Sequence, residues 1–303
     1  MRGVASLEGE GDDVGIGEVG EIEGAEHDGI KYVGPHTQSS RALDRGGASG
    51  ELSTMHETAV DERRAEAAAE GGAEKRAYVR TVFEQIAPRY DLLNHLLSFN
   101  IDRRWRRRAL RALDWARAPE GRYLDLCAGT LDVGAELSRQ RGFRGFIVGA
   151  DFAVPMLRAG VGKAPASALA PVAADAQQLP IPDASVQGAI VAFGIRNVAS
   201  LDAALREAHR VLVPGGTFVI LEFTTPRSAV VRALYHFYFH RLLPLIGGVI
   251  SGHRTAYRYL PQSVAHFPAE PELAERMRAA GFRDVTWESL TLGIAAIHRA
   301  RKA

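Results

Sequence analysis

From Gly121 onward the chain alternates short apolar runs with amphipathic stretches, and that alternation leaves few architectures open to it. The apolar runs are Arg122–Cys127, Gly145–Ala150, Pro171–Ala174, Gly188–Phe193 and Thr217–Phe223. Helical stretches fall between them at Asp132–Arg139, Ala153–Gly160 and Leu201–Val211. Parallel neighbours need a crossover, and crossover helices cover the sheet faces. The pattern therefore predicts a mostly parallel, doubly wound α/β sheet with helices on both faces. A last helix, Glu272–Ala280, is closed by Gly281, a residue suited to a helix C-terminus. The runs Val285–Leu290 and Gly293–His298 follow so closely that they are expected to pair antiparallel.

Residues 75–117 read as a helical cap. Val82, Phe83 and Ile86 share a helical face that Pro88 ends. Ile101–Trp115 is dense in arginine, with Arg103, Arg104, Arg106, Arg107, Arg108 and Arg111, while Trp105, Ala109, Leu110 and Leu113 form an apolar stripe. The arginines read as a solvated face. The competing reading is a surface for anionic lipid or nucleic acid, and no nucleic-acid module accompanies them, so no nucleic-acid partner is expected.

The formal net charge of +1 conceals a split. Residues 1–74 hold 6 Lys and Arg against 17 Asp and Glu, and 14 of the 31 glycines. Such a segment cannot offset its ordering entropy by burial, so 1–74 is expected to be a disordered acidic head, with residues 75–303 as one domain. Met55 is a candidate start that would leave a basic protein. One cysteine, Cys127, excludes an internal disulfide. The most apolar run, Leu242–Ile250, is broken by proline and glycine and too short to span a bilayer. No secretory signal is recognised, and a reducing, cytoplasmic compartment is expected.

Chemistry concentrates at the strand ends. The first strand runs into Asp125-Leu126-Cys127-Ala128-Gly129-Thr130-Leu131-Asp132. Small residues there let a ligand approach the backbone, and a helix start offers unpaired N–H groups. The competing reading is an ordinary strand-to-helix turn. Asp151 ends the second strand, where a carboxylate suits ribose hydroxyls, and Asp175 follows the third, within reach of an adenine amine. The cradle is shorter and poorer in glycine than a pyrophosphate site wants. It suits S-adenosyl-L-methionine, a nucleoside without phosphate. His236 and His240 are spaced i, i+4 without a third ligand, so no metal is expected.

The body resembles, nearly end to end, the ubiquinone/menaquinone biosynthesis C-methyltransferases. Tyr90-Asp91-Leu92-Leu93-Asn94-His95-Leu96-Leu97-Ser98-Phe99-Asn100-Ile101-Asp102-Arg103-Arg104-Trp105 is similar to their signature YDxMNxxxSxGxxxxW. Phe193-Gly194-Ile195-Arg196-Asn197-Val198 matches FGxRNV, and Arg210–Thr224 with Pro214-Gly215-Gly216 matches a second signature. Leu179–Asp183 and Tyr257–Leu260 also match. The resemblance implies a class I methyltransferase, Rossmann-like, with a seven-stranded sheet whose last strand is antiparallel. It also implies S-adenosyl-L-methionine as cofactor and a prenylated quinol as substrate, either demethylmenaquinol or the benzoquinol precursor of ubiquinol. Cofactor contacts carry over onto Thr130, Asp151, Asp175, Ala176 and Ala192, beside Asp125 and Gly129 of the loop. At Ala192 the family can have serine, so that hydroxyl is missing here. Another small hydrophobic acceptor, or a degenerate scaffold, is the alternative reading.

Carbon methylation needs a quinolate held in line with the sulfonium methyl. Arg196 is the leading catalytic candidate. A guanidinium stays protonated, so it would lower the quinol pKa by charge or hold a water that takes the proton. The competing reading is a salt bridge. Tyr90, Asn94 and Asn197 are further candidates, with helix capping and packing as the alternative for the first two. Leu131 stands where the family has glycine and is expected at φ < 0, packed away from the cofactor. Residues 228–262, with Leu234, Phe237 and Leu242, read as an apolar lid for a prenyl tail. With the arginine-rich helix they suggest peripheral contact with an anionic membrane at its inner face. The sequence also allows a homodimer.

Overall fold

The computed structural model describes residues 25–27, 30–32, 75, 78–81, 83, 98, 100–238 and 254–303. The sheet contains β1 (Ala25–His27), β2 (Ile30–Tyr32), β3 (Arg122–Leu126), β4 (Phe146–Asp151), β5 (Leu169–Ala173), β6 (Val186–Ala192), β7 (Leu212–Phe223), β8 (Phe282–Leu290) and β9 (Ala295–Lys302). Their spatial order is β1-β2-β5-β4-β3-β6-β7-β9-β8. The seven strands from β5 to β8 form the expected mixed sheet. β5, β4, β3, β6 and β7 pair in parallel, and β9 runs antiparallel to both β7 and β8. The order reverses at β3, which pairs with β4 on one side and β6 on the other. That reversal opens a crevice at the carboxyl ends of the strands.

The helices α1 (Ile101–Ala112), α2 (Asp132–Ser138), α3 (Val154–Gly160), α4 (Leu201–Val211), α5 (Ala229–Phe237), α6 (Arg254–Ala265) and α7 (Glu270–Ala279) complete the fold. The central strands are apolar on both sides because both faces are covered. One core joins α1, α2 and α3 through Leu110, Leu137 and Leu157 to Ile147, Ile190 and Val219. The other joins α4 and α7 through Leu205 and Met277 to Val148, Val191 and Phe218. The stripe Trp105, Ala109, Leu110 and Leu113 is buried as expected. Ser200 caps α4 by accepting a hydrogen bond from the Ala203 N–H at 3.3 Å.

Three features depart from the sequence expectations. Within the acidic head, β1 and β2 form a hairpin, and β2 pairs with the edge of β5 through Lys31–Val172 and Tyr32–Ala173. Ile30 is fully buried there, so these residues of the head take part in the sheet. The second departure is in α1. Arg106 is not on a solvated face: it is buried, donating to Asp132 at 3.0 Å with Asp102 at 3.5 Å. It fastens α1 to the first turn of α2.

The third is Leu131, expected at φ < 0 and found at φ 64, ψ 18, in the left-handed region, as the residue preceding α2. Such a backbone costs leucine roughly 1–2 kcal/mol. Its side chain explains why the cost is tolerated. It is 1% exposed and covers two glycines: a Cβ on Gly149 would lie 2.4 Å from Leu131 Cδ2, and one on Gly160 2.8 Å from Cγ. Leucine burial outweighs the strain. Leu131→Ala should lose about 2–5 kcal/mol while keeping the strain. Leu131→Gly loses the same burial but recovers about 1 kcal/mol of backbone energy. Urea denaturation should therefore rank wild type above Leu131→Gly and Leu131→Gly above Leu131→Ala. The reverse order for the two variants would show that the left-handed backbone is not strained.

Candidate functional site

The loop between β3 and α2 is held open by two buried carboxylates. Asp125, on β3, accepts a hydrogen bond from the Gly134 N–H in the first turns of α2 at 2.8 Å. Asp151, the last residue of β4, accepts from Gly129 N–H through Oδ2 and from Ala153 N–H through Oδ1, each at 2.8 Å. Asp151 thus ties the β3 loop to the start of α3. The Phe152 N–H adds a third backbone donor, and the two oxygens together still have lone-pair capacity for a ligand hydroxyl. Asp175 is turned back on its own loop, accepting from the Gln177 N–H at 2.9 Å.

These residues converge on one cleft at the carboxyl ends of β3, β4, β5 and β6. Asp125, Gly129, Thr130, Asp151, Asp175, Ala176, Ala192 and Asn197 all border it. All seven expected cofactor residues therefore lie together, and Asn197 joins them from the far wall. Asn197 is buried, and among the described residues its Oδ1 accepts no hydrogen bond. An orphaned acceptor at that position suits a donor on a bound ligand. The donor set is the three carboxylates of Asp125, Asp151 and Asp175, an amide oxygen and backbone groups of a small-residue loop, with Phe152 and Met156 as apolar walls. That chemistry fits a nucleoside bearing hydroxyls and an ammonium, which is what S-adenosyl-L-methionine carries.

Sequence reasoning missed Phe152 and Met156. Their signal was position: Phe152 directly follows Asp151, and Met156 lies in the first turn of α3. Cys127 borders the cleft just past β3, in a left-handed conformation with φ 53. Burial pushes its thiol well above the usual range, which disfavours the thiolate. Gly194 faces it across the crevice: a Cβ there would lie 2.4 Å from Cys127 Cβ. The glycine of the Phe193–Val198 motif is therefore a close-approach residue.

Arg196 is placed differently from the cofactor group. It is 8% exposed and does not border that cleft. Nη1 donates to Glu222 Oε1 at 2.7 Å and to the Phe193 carbonyl at 2.6 Å, and Nε donates to Ser263 Oγ at 3.3 Å. The guanidinium lies 5.5 Å from the Phe223 ring centre. The salt bridge weighed as the competing reading is present. Its partner Glu222, at the end of β7, is 1% exposed and also accepts from the Phe223 N–H at 2.9 Å. Burial raises the Glu222 carboxyl despite Arg196 beside it. Tyr90 and Asn94 lie outside the described residues, as do His240 and the lid core 239–253. Among the described residues no cluster of His, Cys, Asp and Glu is arranged to hold a metal.

Burial pushes the Asp125 carboxyl up to about 7, with the Gly134 N–H and Arg106 opposing. An unfolded aspartate titrates near 3.9, so the folded protein holds this proton more tightly. Asp125 therefore contributes stability that is complete below about pH 4 and is lost as pH rises through about 7. Asp125→Asn keeps an acceptor for Gly134 but carries no charge. Between about pH 5 and about pH 8 its urea midpoint should climb relative to wild type. Parallel pH profiles would show that charge burial at this position has no effect on stability.

Residues 72–302 match the model of the ubiE/COQ5 methyltransferase family. The chain is 50% identical over 219 residues to the demethylmenaquinone methyltransferase of Thermus thermophilus, covering 72% of this chain and 98% of that one. It is 45% identical over 233 residues to the ubiquinone/menaquinone biosynthesis C-methyltransferase UbiE of Geobacter sulfurreducens, covering 76% and 90%. A SAM-dependent methyltransferase from Thermotoga maritima shares the fold, with a TM-score of 0.51 at 20% identity over 74% of this chain and 99% of that one. A match spanning the seven strands β3 to β9, both helical layers and the cleft makes the chain a member of the ubiE/COQ5 methyltransferase family.

Proposed function

We propose that the chain methylates a ring carbon of a prenylated quinol, using S-adenosyl-L-methionine. One observation carries this reading: Asp151, Asp175, Ala176 and Asn197 share one cleft, and the residue before Asn197 is a buried arginine fixed to Glu222. The cofactor, when bound, supplies an electrophilic methyl group. Asp151 and Thr130 would hold its ribose and loop side, and Asp175 and Ala176 its base. The orphaned Asn197 Oδ1 would receive a donor hydrogen bond. The names of the Thermus and Geobacter relatives favour demethylmenaquinol or the ubiquinol precursor as acceptor.

The chain's remaining task is to favour the quinolate. Arg196 holds a fixed positive charge in a site with little water, where charge acts strongly. Glu222 fixes its direction and is itself held by two backbone N–H groups. The proton leaves toward water held at this pair, because a guanidinium is not a base. Aromatic walls exclude solvent: Trp105, Phe193 and Phe223 pack edge to face or tilted, with centroids 4.6–6.2 Å apart. Among the described residues no helix is long and apolar enough to cross a membrane. A lipid-soluble acceptor nevertheless implies work at a bilayer, on its cytoplasmic side.

Arg196→Ala alone would strand the buried Glu222 charge and destabilise the fold by about 3–5 kcal/mol, confounding any rate. Arg196→Met with Glu222→Gln removes both charges and should fold. Its cofactor affinity by calorimetry should stay within about twofold, while turnover falls by roughly 10²–10³. Full turnover in a folded double variant would make the pair structural only. Parallel assays with demethylmenaquinol and with the benzoquinol precursor identify the acceptor, and inactivity on both would remove the quinol reading.

A further inference from the structure

The turn Thr291–Gly293, which links β8 to β9, joins two surfaces that are far apart in sequence. On one side Trp105 Nε1 donates to Thr291 Oγ1 at 3.0 Å, which seats the turn on α1. On the other, a Cβ on Gly293 would lie 3.5 Å from Pro226 Cα, so the turn also abuts the segment leading into α5. Leu292 crowns it at φ 59 and 76% exposed. A left-handed backbone is costly for leucine, and here no core contact compensates, unlike Leu131.

Charge and apolar area meet at this turn. Between it and α1 runs a groove lined by Arg104, Arg107, Arg108 and Arg111 beside Trp105 and Leu290. Glu136 and Glu288 neutralise Arg107 and Arg108. Among the described residues, Arg104 and Arg111 have no ion pair. On the α5 side Val230, Leu234 and Phe237 are exposed at i, i+4 and i+7, a single helical face. The turn thus carries the exposed Leu292 between the segment leading into the helix with this apolar row and a groove holding two cations without an ion pair among the described residues.

We propose that this face docks on a bilayer containing anionic lipid, with phosphate head groups in the arginine groove and Leu292 and the α5 row in the acyl boundary. The inference rests on the lipid-soluble acceptor and names the surface that would meet it. A free phosphate would use the arginines but leave the apolar row without purpose. A second copy docked here about a twofold axis would bring two cationic grooves together. A bilayer satisfies both halves at once.

Flotation of the full chain tests this, using vesicles of phosphatidylcholine alone and of phosphatidylcholine with phosphatidylglycerol. Wild type should float with the mixed vesicles at low salt and be released by high salt. Arg104→Glu with Arg111→Glu should lose at least about 25-fold in partition, taking about fivefold for each basic residue removed. Leu292→Asp should lose several-fold, with melting temperature and cofactor affinity unchanged in both variants. Absence of flotation, or flotation indifferent to the arginine reversal, overturns the proposal. So does a solution dimer that Leu292→Asp dissociates while flotation persists. Turnover of a short-tailed, water-soluble quinol is read on the same preparations. Its absence in wild type would remove the quinol acceptor and leave the flotation result standing. Variants that keep it while losing flotation support the docking face.

Discussion

Two aspartates at the ends of neighbouring parallel strands, Asp125 and Asp151, are buried with no directly paired cation among the described residues, and each uses oxygen lone pairs on backbone N–H groups beyond the sheet. Burying a carboxylate is costly unless donors compensate it, and here the donors belong to the loop that a ligand must approach. Through Asp151 the β3 loop, the end of β4 and the start of α3 become one unit. The carboxylates that border the cleft are the same ones that shape the loop. Burial raises both carboxyls, so the cleft is stable only as a balance between desolvation and backbone donors.

A second buried charge stands across the crevice. Arg196, in the short helical turn that follows β6, and Glu222, at the end of the adjacent parallel strand β7, meet at 2.7 Å. Such a pair contributes little net stability, but it fixes geometry strongly, because removing either partner leaves an unpaired buried charge. The two anchors divide the site. The aspartates organise the side that suits a nucleoside, while the ion pair organises an aromatic wall made of Phe193, Phe223 and Trp105. Trp105 reaches that wall from α1, and its indole N–H reaches the β8–β9 turn. One residue thereby connects the candidate site with the proposed docking face.

Much of this was legible in the sequence because its periodicities are local. The central strands are uninterrupted apolar runs, and their ends carry Asp125, Asp151 and Asp175, so position along a strand sufficed to place them at one sheet edge. Other features depended on partners distant in sequence. Arg106 reads like its neighbouring arginines, and only Asp132 and Asp102 make it a buried tie. Arg196 lies one residue from Asn197, yet the two side chains serve different spaces, because Glu222 draws the guanidinium aside. Leu131 could not be read correctly, since the space over Gly149 and Gly160 that receives it is formed by β4 and α3.

The sequence alone determined the doubly wound sheet, its antiparallel final strand, the family and the gathering of Asp125, Asp151 and Asp175 at the strand ends. Those follow from alternation of apolar runs, from short spacings and from contiguous motifs, all of which are properties of neighbouring residues. Tertiary structure alone decided the left-handed backbone of Leu131, the Arg196–Glu222 pair, the attachment of β1 and β2 to the sheet edge, and the meeting of α1 and the segment leading into α5 at the Leu292 turn. Each of these depends on a cavity, a charge or an open strand edge supplied by residues far away in the chain. No local pattern encodes such a partner, so the physical reason for each appears only once the sheet is assembled.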